Sequence, residues 1–238
     1  MGSKDIFRFQ QFEVKHDKVG LKVGTDGVLL GAWADVAGAQ DILDIGTGSG
    51  LIALMLAQRH PSANIHAIDI MIAASEQAIE NFNVSPWAEN LRCFHISAQD
   101  FAEATAQRYD LIVSNPPYFS DGLLSGDKGR ASARHAISLP RDELVSSVKT
   151  LLRPSGRFCV ILPYLEGLRF KEIAQTAGLF CNKTVGVKPD IYSSINRWLM
   201  EFSVKASRYQ YSEIFLKNET GGRSTVFNSL TSEFYLNV

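Results

Sequence analysis

Residues 114–119, Ser-Asn-Pro-Pro-Tyr-Phe, follow the apolar run Leu111-Ile112-Val113. Proline has no N–H to give a sheet ladder, so Pro116-Pro117 ends whatever strand precedes it. A rigid turn accounts for the two prolines but not for their neighbours. Asn115 brings an amide oxygen, Pro116 a carbonyl aimed by a locked φ, and Tyr118 a flat ring. Two acceptors and a ring can grip a planar, N–H-bearing group. The acceptors take its two N–H bonds and draw its lone pair out of the π system. The ring stacks on it, for about 1–3 kcal/mol if the group is a base. Whether the segment is only a turn depends on its surroundings.

A second set lies upstream. In Leu43-Asp44-Ile45-Gly46-Thr47-Gly48-Ser49-Gly50 the glycines permit a sharp turn and close approach of a ligand to the backbone. A dinucleotide fingerprint, G-x-G-x-x-G, would need glycine at Leu51; here the third glycine arrives one place early. The pattern is D-x-G-x-G-x-G. Asp44 ahead of the loop suits a ligand carrying a positive group better than a pyrophosphate. Asp69 closes the next apolar run, where a carboxylate can accept two ribose hydroxyls, and Asp100 in Ser-Ala-Gln-Asp-Phe (97–101) can take an adenine amino group.

Alternating strands and helices must position these residues. Strands are expected at 41–46, 64–69, 91–97, 109–115 and 156–163, and helices at 51–60, 72–84, 140–152 and 165–178. Residues 181–189 and 197–206 read as a closing pair of strands. This alternation predicts an α/β fold, a Rossmann-like doubly wound sheet, mostly parallel with an antiparallel C-terminal strand. The 109–115 strand then ends beside the glycine loop, and Asn115 faces the ligand. One domain is expected: an extension over 1–38 that packs on the core, a core over 39–206 and a tail over 207–238. Asp26 reads as a cap for the apolar run Gly27–Ala34, and Phe7, Phe9 and Phe12 as packing for a hairpin.

Composition narrows the classes. Apolar residues make up 45% and charged residues 21%, ordinary for a globular protein. A net charge of −1 lacks the signature of a protein that coats nucleic acid, yet leaves room for a local basic face. No run is long enough for a membrane span, and the N-terminus has no signal-peptide core. Three cysteines without metal-like spacing and five scattered histidines predict free thiols in a reducing cytoplasm and no metal site.

The glycine loop with Asp69 and Asp100 resembles the class I S-adenosylmethionine-dependent methyltransferases. Asn-Pro-Pro-Tyr resembles the (D/N/S)-P-P-(Y/F/W) motif of members that methylate planar nitrogens. Nearly the whole chain is similar to the bacterial tRNA-valine N6-adenine methyltransferase family. The similarity runs through Phe7, Phe9 and Phe12, Lys22-Val23-Gly24-Thr25-Asp26-Gly27, Tyr211-Ser212-Glu213 and the closing Phe234-Tyr235-Leu236. The resemblance implies S-adenosyl-L-methionine as donor and the adenine at position 37 of tRNA, flipped from a single-stranded anticodon loop, as acceptor. It implies catalytic roles for Asn115, Pro116 and Tyr118. It implies donor contacts for Lys22, Thr25, Asp44, Gly46, Thr47, Gly48, Gly50, Asp69, Ile70, Asp100, Phe101 and Asn115. It places Pro117, Tyr118, Lys128, Arg130, Arg134 and His135 against the RNA, the last four on a long basic loop that reads as a lid or as a solvated loop. No obligate protein partner is expected.

Protein glutamine N5-methylation and rRNA guanine N2-methylation use the same tetrapeptide and stay as alternatives. The first usually carries an N-terminal helical domain, and only about 38 residues precede the first core strand here. The displaced glycine argues against a nicotinamide oxidoreductase, and the intact Asn-Pro-Pro-Tyr against a non-catalytic binding module.

Overall fold

The structure is a computed structural model and describes residues 5–19, 22–117 and 139–236. The chain opens with a hairpin, β1 (Ile6–Arg8) and β2 (Glu13–Lys15), followed by α1 (Thr25–Trp33). The alternating core is β3 (Asp41–Ile45), α2 (Leu51–Arg59), β4 (Asn64–Asp69), α3 (Ile72–Asn83), β5 (Leu91–His95), α4 (Ala98–Ala104) and β6 (Tyr109–Ser114). It continues as α5 (Arg141–Leu151), β7 (Leu152–Pro163), α6 (Tyr164–Thr176), β8 (Phe180–Asp190) and β9 (Arg197–Ser203). β10 (Gln210–Lys217) and α7 (Thr225–Thr231) close it.

The large sheet has the order β10-β8-β9-β7-β6-β3-β4-β5. β5, β4, β3, β6 and β7 are parallel, and β9 runs antiparallel to both β7 and β8. The expected doubly wound sheet with an antiparallel C-terminal strand is therefore present. Residues 207–238 do more than trail behind it: β10 adds an eighth strand, parallel to β8, and α7 folds back onto the sheet. Alternating strand residues fill two apolar layers. Ile42, Leu111, Val113 and Ile161 pack with α1, α2, α3 and α7 on one face. Leu43, Ile45, Ile112, Phe158 and Val160 pack with α4, α5 and α6 on the other.

The winding reverses between β3 and β6, so a crevice opens at the carboxyl ends of these strands. β3 feeds the glycine loop into it, β4 brings Asp69, and β6 brings Asn115. The N-terminal hairpin packs against the core, with Phe9, Phe12 and Val14 buried.

Candidate active site

The glycine loop is shaped by backbone geometry. Gly46, Gly48 and Gly50 have φ of 73°, 58° and 81°, a region that side chains with a Cβ rarely enter. At Gly50 a Cβ would also lie 2.5 Å from the Phe82 ring. The N–H groups of Gly46 and Thr47 donate to the Ile68 carbonyl at 2.9 and 3.1 Å, tying the loop to β4. Asp69 completes the tie: one carboxylate oxygen accepts from Gly48 N–H and the other from Met71 N–H, each at 2.9 Å. Burial pushes the Asp69 carboxyl above its ordinary range, and those two N–H groups pull it back. Each oxygen keeps a further acceptor position.

A cavity of about 320 Å³ opens here, the size of a small-molecule site. Gly46, Gly48 and Asp69 line its middle, and Ile70, Met71, Ile96, Ser97, Ala98 and Gln99 line one end. Ser114, Asn115, Pro116 and Pro117 line the other. The two ends are three strands apart, about 14–15 Å at ordinary strand spacing, which matches an adenosyl group bearing a short side chain. The apolar end suits a purine, and Ile70 offers it a side chain that is 49% exposed. Pro116 is buried while Pro117 is exposed, so the prolines end β6 and hold Asn115 at the rim.

Several expected residues stand elsewhere. Asp44 is fully buried behind the loop, not on the cavity wall; one oxygen accepts from the Thr47 hydroxyl at 2.7 Å. Burial pushes its carboxyl up to about 7, against the opposing pull of Thr47 and the Ala53 N–H. Thr47 and Gly50 thus shape the loop from behind. Asp100 also misses the wall. It sits in the first turn of α4, where Ser97 caps its N–H at 3.0 Å and donates its hydroxyl to the Asp100 carboxylate. Ser97-x-x-Asp100 is a capping box, a signal present in the sequence. Phe101 is buried among Phe94 and Tyr109, with ring centroids 5.8 and 6.5 Å away. Lys22 and Thr25 are exposed and line no part of the cavity. Asp26 is not the cap of α1, which is Gly24; it takes the Arg197 guanidinium at 2.9 Å. Tyr118, Lys128, Arg130, Arg134 and His135 lie outside the described residues.

The sequence reading missed two buried amides. Gln77 and Asn81, 0% and 1% exposed, sit one turn apart on α3. Gln77 accepts from Lys18 N–H at 3.0 Å. Asn81 accepts from Lys15 N–H at 3.0 Å and donates to the carbonyls of Lys15 and Ser49, each at 2.8 Å. These bonds strap residues 15–18 over α3 and bring Lys18 and Val19 to the cavity wall.

Residues 23–164 match the family model described as "Methyltransferase small domain". The tRNA1(Val) (adenine(37)-N6)-methyltransferase of Yersinia pestis (strain Pestoides F) is 42% identical over 232 residues, 97% of this chain and 94% of that protein. The chain belongs to this methyltransferase family. The relative of the same name from Yersinia pseudotuberculosis serotype O:3 (strain YPIII) is also 42% identical, across 97% of this chain and 92% of its own length. Among solved structures, protein Atu636 of Agrobacterium tumefaciens, titled a predicted O-methyltransferase, superposes with a TM-score of 0.67 at 15% identity. That alignment covers 90% of this chain and all of the other, and at that identity it speaks for the shared methyltransferase fold alone.

Among the described residues, no group of three or more His, Cys, Asp or Glu could hold a metal ion. No helix among them is long and apolar enough to cross a membrane.

Proposed function

We propose that this protein methylates the exocyclic N6 of adenine 37 in tRNA-valine, in the cytoplasm, on a base flipped out of the anticodon loop. The observation that carries the reading is the placement of Asn115-Pro116 at one end of a nucleoside-sized cavity whose middle holds Asp69 and the glycine loop. S-adenosylmethionine supplies a methyl group on a sulfonium, so the protein's task is orientation for in-line displacement. Asp69 has acceptor capacity for the ribose hydroxyls, and Ile70 packs on the purine. Asn115 Oδ1 and the Pro116 carbonyl accept the two N–H bonds of the adenine amine, which frees its lone pair. The product amine is cationic and loses its proton without a strong base. Tyr118 stacks on the base and offsets the cost of flipping, a few kcal/mol. Lys128, Arg130, Arg134 and His135 belong to the loop that follows and meet the RNA, with Pro117 beside them.

The test is a transfer assay with labelled donor and total tRNA from a strain lacking the enzyme, followed by nucleoside mass spectrometry. N6-methyladenosine at position 37 is expected. Methylation of a release-factor peptide, with none of tRNA, would overturn the reading in favour of glutamine.

A further inference from the structure

The β8–β9 connection stands on the same edge of the sheet as Asn115. It is fixed at several points. The Asp190 carboxylate accepts from the N–H groups of Tyr192 and Ser193 at 2.9 and 2.8 Å, and from the Ser193 hydroxyl at 2.8 Å. Asn196 donates its N–H to the Val187 carbonyl at 3.0 Å and accepts from Tyr164 N–H at 3.1 Å. Ile195 lies so close over Gly186 that a Cβ there would be 2.6 Å from it. This fastened turn displays Tyr192 at 81% exposure, and no hydrogen bond or ring contact engages its side chain among the described residues. A rigid turn has no folding use for an aromatic ring in water.

Tyr192 does not stand alone. Tyr164, Leu165 and Leu168 on α6 are 40%, 65% and 43% exposed. The Tyr164 ring stacks on Trp198 at 5.4 Å, the Trp198 indole donates to the Tyr164 carbonyl, and Tyr211 lies 6.4 Å beyond. β9 and β8 are two and three strands from β6, so this ledge begins about 10–15 Å from Asn115. Residues 164–217 carry eight Lys or Arg and five Asp or Glu, while the whole chain has net charge −1. Lys171 lies over the Tyr209 ring at 4.7 Å.

We infer that this ledge docks RNA: unpaired bases flanking the target adenine stack on Tyr192 and the α6 side chains, while neighbouring cations meet the phosphates. Rings and cations combined are what single-stranded nucleic acid needs, whereas an apolar protein partner would not call for the cationic excess. The inference rests on the RNA reading above and assigns it a surface.

The test uses the full chain, an unmodified anticodon stem-loop RNA carrying the target adenine, and S-adenosylhomocysteine. Tyr192→Ala is expected to raise the RNA Kd by about tenfold, the worth of one base–aromatic stack. Tyr192→Phe restores it. S-adenosylhomocysteine affinity and melting temperature stay at the parental values. RNA binding within twofold of the parent in Tyr192→Ala overturns the ledge. So does self-association, seen by ultracentrifugation, that Tyr192→Ala abolishes without weakening RNA. If the parent methylates a release-factor peptide and no RNA, the functional reading has failed and the ledge falls with it.

Discussion

At the scale of single residues, the site separates groups that touch the reacting atoms from groups that hold the site in shape. Asn115 stands at the cavity rim and Asp44 behind the loop, so the two fail differently. Asn115→Ala removes an acceptor that matters once the lone pair turns toward the methyl group. It is expected to lower kcat by about 10²–10³-fold, as loss of one transition-state hydrogen bond does. Calorimetric affinity for S-adenosylhomocysteine stays near parental, and near-parental turnover would reduce the prolines to a turn. Asp44 controls stability. Its carboxyl titrates at about 7 in the fold, against an ordinary value of 3.8. Between those values the folded chain holds a proton that the unfolded chain has lost. Stability therefore falls as pH rises from about 4 to 7, by on the order of 4 kcal/mol. Asp44→Asn removes that slope, so its urea midpoint relative to the parent should improve steadily from pH 5 to pH 8. A constant difference would show that Asp44 titrates normally.

At the scale of elements, much of the site was legible in the sequence because its demands are local. Glycines at positive φ, a carboxylate at a strand end and prolines that stop a strand each announce themselves within a few residues. What was illegible depends on partners distant in sequence, or on a rival local role. Gln77 and Asn81 look like the solvent face of an amphipathic helix, and only the return of residues 15–18 makes them buried. Asp100 has a side chain suited to a purine amine, but its position in α4 gives it to Ser97. β10 and α7 read as a tail because an edge strand and a two-turn helix carry weak periodicity. The strap on α3 has a measurable consequence. Asn81→Ala leaves two carbonyls and one N–H without their partner, a cost of at least about 2 kcal/mol. It also releases Ser49 in the glycine loop and the Lys18–Val19 wall together. Donor affinity is expected to fall at least tenfold at temperatures far below melting; lowered melting with unchanged affinity would make Asn81 a structural residue only.

At the scale of the molecule, the chain's two ends meet. The Gln10 N–H donates to the Phe234 carbonyl at 2.8 Å, and its side-chain amide donates to the carbonyls of Ser232 and Tyr235. Phe7 and Phe9 lie 6.2 and 6.1 Å from the Tyr235 ring, and Phe9 stacks on Phe12 at 4.7 Å. A continuous mechanical path therefore runs from the C-terminal segment through the hairpin to Lys15, then through Asn81 to the glycine loop. Phe234, 1% exposed, anchors its far end. Phe234→Ala should cost about 3–5 kcal/mol from lost burial and the cavity left behind. In a chain of this size that lowers the melting temperature by roughly 6–20 °C. The path adds a second expectation that burial alone would not give. At a temperature where the variant is fully folded, S-adenosylhomocysteine should bind several-fold more weakly, although Phe234 lines no part of the cavity. Leu236→Ala, at an exposed neighbouring position, serves as the control and should change neither property. If Phe234→Ala lowers melting as expected but binds the donor product as the parent does, the hairpin and the cavity are independent, and the two ends meet only to complete the core.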